Sequence, residues 1–256
     1  MSQSPGEGEP LAEGTLVSHL LELRDRLLRS VIALTICFTP LAVFQNELFS
    51  LVARPLIDKL PAGTSLIATS VVSPFMAPLK LSLMGAIFLA MPYILFQIWG
   101  FVAPGLYKRE RRFAAPLLVS SIVLFYVGVA FAYYVVFPLM FQFLASTTPA
   151  GVKMMTDIAN YLDFVLLLFM AFGIAFEMPV AVVLLVVTGL VKLDVLTRNR
   201  GYVILGIFII AAFLTPPDAV SQSFMAVPMY LLYELGILFA RMIQKSRGTP
   251  AIATES

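Results

Sequence analysis

FVAPGLYKRERRF, residues 101–113, is a polar island between two long apolar runs, and it holds one acid, Glu110, among Lys108, Arg109, Arg111 and Arg112. A chain that threads back and forth through a bilayer leaves such basic loops on the cytoplasmic face, because cytoplasmic loops retain Lys and Arg. The rest of the chain agrees. With 60% hydrophobic and only 12% charged residues in 256, it cannot be arranged as a soluble domain with a solvated surface. An all-α, polytopic membrane protein is predicted.

Six apolar stretches are long enough to weigh against the roughly 20 residues that a helix needs to cross about 30 Å of hydrocarbon. They cover approximately residues 27–45, 75–101, 114–140, 161–189, 201–215 and 220–240. The fifth, GYVILGIFIIAAFLT, spans only about 22 Å at about 1.5 Å per residue, so it should thin the bilayer or sink one face of the protein. The apolar run that follows Glu7, Glu9, Glu13, Arg24 and Arg26 is too long for a signal-peptide h-region and is read as a retained first span. The domain reading is a polar tail over 1–14, a six-span domain over 15–240 and a second tail over 241–256.

The basic residues set the orientation. Arg24, Arg26 and Arg29 precede span one, and the 101–113 cluster follows span two; Lys192, Arg198 and Arg200 precede span five, and Arg241, Lys245 and Arg247 follow span six. All of these fall on one side, leaving Arg54, Lys59, Lys80 and Lys153 for the other, so both termini are expected to be cytoplasmic. Pro40, Pro92, Pro138, Pro179 and Pro228 lie within predicted spans, where each removes a backbone donor and bends its helix, which favours a curved, concave body. No repeat at a fixed offset is visible. Cys37 is alone, so no intrachain disulfide can form.

Catalytic signatures are missing. No GxxxxGK loop is present to cradle nucleotide phosphates, and one histidine with one cysteine excludes the usual metal-ligand clusters. No Ser–Lys pair is placed as a dyad, so neither enzyme activity nor a cofactor, metal or nucleic-acid partner is expected. What remains is a set of acids in unusual positions. Glu177, in MAFGIAFEMPVAVV, lies near the middle of span four, where an ionised carboxylate costs about 2.5–3.5 kcal/mol on insertion scales. It is either protonated or facing a wet cavity or a polar group of another helix. HLLELRDRLL, residues 19–28, reads as an amphipathic helix on the cytoplasmic interface, with Leu16, Leu20, Leu23 and Leu27 on one face and His19, Glu22 and Arg26 on another. Glu22 and Arg26 have the spacing of a helical ion pair. In the opening stretch, a helical wheel puts Glu110 with Leu106, Phe113 and Leu117, opposite the basic residues. An acid on a greasy face suits a ligand that is cationic at one end and apolar at the other.

Taken in order, HLLELRDRL, SPFMAPLKLS, FVAPGLYKRERR, FGIAFEMPVA and LTPPDAVSQ resemble the TatC family, the multispanning receptors of the bacterial twin-arginine protein translocase. The resemblance covers roughly residues 15–240. It implies a glove-like arrangement of six helices in the bacterial inner membrane that binds twin-arginine signal peptides at its cytoplasmic face. It also implies single-span partners, TatA and TatB, homo-oligomers within the receptor complex, and export of folded proteins driven by the proton-motive force. The family's acid of the first cytoplasmic loop falls on Glu110, its neighbouring aromatic on Phe101, its amino-terminal motif on His19, Glu22 and Arg24, and its membrane-buried acid on Glu177. Pro55, Pro92 and Asp218 also match family positions. Two arginines side by side present planar forks that carboxylates accept bidentately, so Glu110 aided by Glu22 makes a sensible receptor. The competing reading is an ion-coupled solute transporter with Glu177 as its proton site; a third is a purely structural scaffold.

Overall fold

The computed structural model describes residues 11–57, 65–102, 114–147, 155–215 and 218–246. Ten α-helices and two short strands lie within them: α1 (Leu11–Val43), α2 (Gln45–Ile57), β1 (Ser65–Ile67), α3 (Ser73–Val102), α4 (Ala114–Phe131), α5 (Phe137–Thr147), β2 (Met155–Asp157), α6 (Ile158–Ala175), α7 (Met178–Val187), α8 (Leu193–Arg198), α9 (Arg200–Leu214) and α10 (Ala219–Ser246). Five helical segments are long and apolar enough to cross a membrane: Val17–Val43, Ser73–Val102, Ala115–Phe143, Ile158–Val187 and Ala219–Lys245. The remaining predicted span, the fifth, is α9, only 15 residues long, as its sequence required. Bilayers admit no unpaired backbone, which is why these apolar runs are helical over nearly all of their length.

One expectation changes. Residues 19–28 do not form a separate interfacial helix, because α1 runs unbroken from Leu11 to Val43, with Pro40 tolerated near its end. Its Leu20, Leu23 and Leu27 are exposed, and its polar face is the one turned toward α3. Two three-residue strands accompany the helices and leave the all-α class unchanged. β1 and β2 pair in parallel, with Ser65 opposite Met155 and Ile67 opposite Asp157, and so join the segments before α3 and α6. Asp157 fastens this joint. Its carboxylate caps α6 by accepting from Ala159 N at 2.9 Å and Asn160 N at 3.1 Å. It also accepts from the Thr69 backbone N at 2.9 Å and from the Thr69 hydroxyl. Those donors, the Thr69 hydroxyl foremost, stabilise the ionised form and bring its pKa down to about 2.

Of the five prolines predicted to bend their spans, Pro138 and Pro179 lie beside irregularities, while Pro40, Pro92 and Pro228 lie within continuous helices. The third crossing passes through a π-helical segment, Ala132–Val136, immediately before α5 and its Pro138. The fourth breaks at Phe176–Glu177, and α7 restarts with Pro179 in its first turn, where the missing N–H costs nothing. In α3, Pro92 cannot donate to the carbonyl of Phe88, and the Tyr126 hydroxyl on α4 donates there instead at 2.8 Å. α4 and α6 approach closely through two glycines. A Cβ at Gly128 would stand 2.5 Å from the Phe172 carbonyl oxygen, and one at Gly173 would stand 2.6 Å from the Phe125 ring. Around this contact Phe137, Met140, Tyr161, Val165, Phe172 and Met225 form the buried centre, which joins the third and fourth crossings to α10.

Candidate functional site

Positions 19, 22 and 26 share one face of α1, and positions 97, 100 and 101 share one face of α3. The packing of α1 on α3 brings these faces together. The His19 imidazole stacks on the Phe101 ring, with centroids 4.3 Å apart and planes inclined by 20°. One turn along, the Arg26 guanidinium donates from Nε and Nη2 to Glu22 Oε1 at 2.9 and 2.6 Å, and from Nη1 to Gln97 Oε1 at 3.4 Å. Gly100 lies against that guanidinium, and a side chain there would collide with it. Gln97 is only 4% exposed, so α3 contributes a buried amide and a glycine notch, while α1 contributes the charges.

Of the residues singled out in the sequence, His19, Phe101 and Glu22 are therefore gathered within one cluster. Arg24 is not. It is well exposed and pairs with its neighbour Asp25 at 2.8 Å. Glu110, with Leu106, Phe113 and the basic residues 108–112, lies outside the described residues. The segment that carries it leaves α3 after Val102, next to Phe101, and rejoins the chain at Ala114.

Glu177 sits at the break between α6 and α7 rather than inside a continuous helix. One of its carboxyl oxygens is buried without a hydrogen-bond partner among the described residues. Ser121 on α4 faces the carboxyl, and the same hydroxyl accepts from the Trp99 indole N–H at 3.1 Å. The break thus places an acid against α4 and opens an apolar groove of about 310 Å³, lined by Leu117, Leu124, Pro179, Val183, Phe239 and Ile243. Pro55 falls within α2, Pro92 within α3, and Asp218 caps α10 by accepting from Val220 N at 3.1 Å and Ser221 N at 2.7 Å. The Ser221 backbone N–H holds the Asp218 carboxyl below its ordinary pKa.

Other partners were not foreseen. Gln97 is a lone amide in the apolar run PYILFQIWG, and only packing shows that it receives Arg26. Arg200, counted above as a topology signal, ties α9 to α10. Its Nη2 donates to Glu234 Oε2 at 2.8 Å, its Nε lies 2.7 Å from Oε1 but off the hydrogen-bonding direction, and the Tyr230 hydroxyl donates to Oε1 at 2.8 Å. Lys80 pairs with both oxygens of Asp163, at 2.8 and 2.7 Å, across α3 and α6. Polar residues stranded in apolar runs were the available signal, but their partners lie 34 and 83 positions apart in the chain. Among the described residues no group of three or more His, Cys, Asp or Glu side chains is arranged to hold a metal ion.

These features define a class: a multi-pass, all-helical membrane protein with a charged and aromatic cluster where α1 meets α3, and an acid at a broken membrane helix. Comparison with known proteins narrows it. The family model for the Sec-independent protein translocase protein TatC matches residues 18–228. TatC of Azotobacter chroococcum mcd 1 is 56% identical over 236 residues, 92% of each chain. That of Escherichia coli (strain K12) is 54% identical over 226 residues, 88% of each chain. A crystal structure of the twin-arginine translocase receptor TatC superposes with a TM-score of 0.79 at 38% identity, covering 88% of this chain and 99% of that one. The chain belongs to the TatC family.

Proposed function

We propose that this protein is the receptor subunit of a twin-arginine translocase, binding twin-arginine signal peptides of folded precursors at the face formed by α1 and the end of α3. The observation that carries this reading is the convergence of His19, Phe101 and Glu22 at the point where the segment bearing Glu110 leaves α3. In this reading Glu110 is the principal acceptor for the arginine pair, Glu22 assists it, and Phe101 with His19 offers an aromatic edge to the apolar part of the peptide. Arg24, well exposed and paired with Asp25, acts at the rim. Glu177 makes a polar contact with a membrane segment of a partner, because an orphaned carboxyl oxygen inside hydrocarbon is stabilised by a donor from outside the chain. Pro92 shapes α3, which carries Phe101, while Pro55 and Asp218 shape α2 and α10, which pack against α3 and α7.

The partners are the single-span subunits TatA and TatB and further copies of this chain within the receptor complex. The protein is placed in the bacterial inner membrane with both termini and the tails 1–14 and 241–256 in the cytoplasm. It is no enzyme and needs no cofactor. Transport of the folded cargo draws on the proton-motive force. Photo-crosslinking from positions 101 and 110 to a twin-arginine precursor in native membranes tests the assignment: crosslinks that vanish when the arginine pair becomes a lysine pair are expected. Saturable solute uptake by the purified protein alone, without such crosslinks, would support the transporter reading instead.

A further inference from the structure

Arg26 belongs to none of the roles above, yet it is the most constrained charge in the cluster. Its guanidinium is held between two acceptors on two helices, the Glu22 carboxylate and the buried Gln97 amide, and it fits into the notch left by Gly100. Only 22% of its side chain is exposed, against 64% for Arg24 two residues earlier. This is a built seat for a guanidinium, and the chain fills it with its own arginine.

Both strong bonds from Arg26 converge on a single oxygen of Glu22, Oε1. The other oxygen, Oε2, takes no hydrogen bond among the described residues, and the Glu22 side chain is 36% exposed. A second guanidinium can therefore engage Oε2 while Arg26 still holds Oε1. Two cations on one carboxylate repel each other, and the longer 3.4 Å contact to Gln97 offers Arg26 a neutral acceptor that shortens as it swings away. A lysine ammonium, a single point charge without the planar fork, engages the freed carboxylate less well.

We propose that Arg26 is a resident competitor for the Glu22 seat. It neutralises Glu22 in the unliganded protein and is displaced toward Gln97 when an arginine of the signal peptide takes its place. The proposal rests on the receptor reading given above, and it adds to that reading a gate that only a guanidinium opens efficiently. The gate raises the threshold for binding, so that basic peptides lacking the arginine pair are rejected.

The test uses the full-length protein in lipid nanodiscs and a fluorescent synthetic signal peptide, made in twin-arginine and twin-lysine forms. Arg26→Met keeps the apolar stem and removes the competitor. It should bind the twin-arginine peptide about two- to fivefold more tightly, the factor returned by freeing a carboxylate from a partly covered ion pair. Discrimination against the twin-lysine peptide should shrink, and adding Glu22→Gln should erase the gain. Unchanged or weaker binding by a folded Arg26→Met protein overturns the proposal and makes Arg26 a tether between α1 and α3. The wild-type protein gives a second measure that no folding defect can spoil. With ¹⁵N-labelled arginine, the Arg26 Nε–H resonance, identified by its loss in Arg26→Lys, should shift on saturation with the twin-arginine peptide. A resonance that stays in place at saturation refutes the exchange even though the peptide binds. Absence of any peptide binding by the wild-type protein refutes the receptor reading itself, and the gate with it.

Discussion

Replacing Tyr126 with Phe removes one oxygen and leaves the ring packing against α3 intact, so it isolates a single bond. That bond carries an obligation. Pro92 has no N–H for the carbonyl of Phe88, and the Tyr126 hydroxyl, 2.8 Å away, is the donor that serves it. Tyr126 is 40% exposed, toward the lipid face in this reading, so no bulk water stands ready to replace the hydroxyl. Hydrogen bonds between membrane helices are worth about 0.6 kcal/mol on average and about 1–2 kcal/mol in favourable cases. An acceptor with no helical partner belongs at the upper end, so Tyr126→Phe should destabilise the protein by about 1–2 kcal/mol. The decisive comparison is with Pro92→Ala, whose new N–H can reach the Phe88 carbonyl from within α3. In that background Tyr126→Phe should cost about 1 kcal/mol less, a coupling that a double-mutant cycle reads directly. Reversible unfolding in mixed micelles provides the assay, followed by the single tryptophan, Trp99, which is buried and hydrogen-bonded across the same pair of helices. Equal costs in both backgrounds, or no cost in the wild type, would refute the claim that Tyr126 substitutes for the donor that proline lacks.

Four further outcomes are expected. Glu110→Gln should weaken signal-peptide binding about ten- to a hundredfold, as loss of a charge-assisted contact of about 1.5–3 kcal/mol implies, while Glu110→Asp should be milder; normal precursor crosslinking by a stably inserted Glu110→Gln protein would move the role to Glu22. Glu177→Gln should retain much of the transport activity, because an amide still offers hydrogen bonds to a partner, whereas Glu177→Leu should impair partner assembly while the protein still inserts; harmless Leu would reduce this acid to a tolerated residue. Cysteines placed at Ser65 and Thr148 should be labelled by impermeant thiol reagents from outside intact cells and one at Thr197 should not; labelling at 197 would invert the topology. Asp157 is depressed from 3.8 to about 2 in the folded protein, so its stabilising effect is complete above about pH 4 and is lost as pH falls through about 2. The stability difference between wild type and Asp157→Asn, measured by unfolding in micelles from pH 2 to 5, should close over that window. A difference that does not change with pH would show that the capping carboxylate is not the source.

Much of this molecule could be read from its residues alone, and the reason is the solvent. Hydrocarbon forces each long apolar run into a helix and leaves cations at its ends, so the crossings, the shortness of α9 and the family are all local properties of the chain. The Glu22–Arg26 pair was legible for the same reason, since i,i+4 spacing is helix geometry. The tertiary structure decided which face of α1 turns inward. Amphipathicity suggested a leucine face buried at an interface, but lipid accepts leucine as readily as a protein core does, so the polar face went to α3, where Gln97 and the Gly100 notch receive Arg26. The same holds for the partnerships of Tyr126 with the Phe88 carbonyl, Arg200 with Glu234 and Asp157 with Thr69. Each joins residues far apart in the chain, and each depends on how bent helices pack, which no periodicity encodes. In a membrane, burial of apolar surface does not choose neighbours among helices. Glycine contacts, orphaned carbonyls and stranded charges do, and those acquire partners only once the chain is folded.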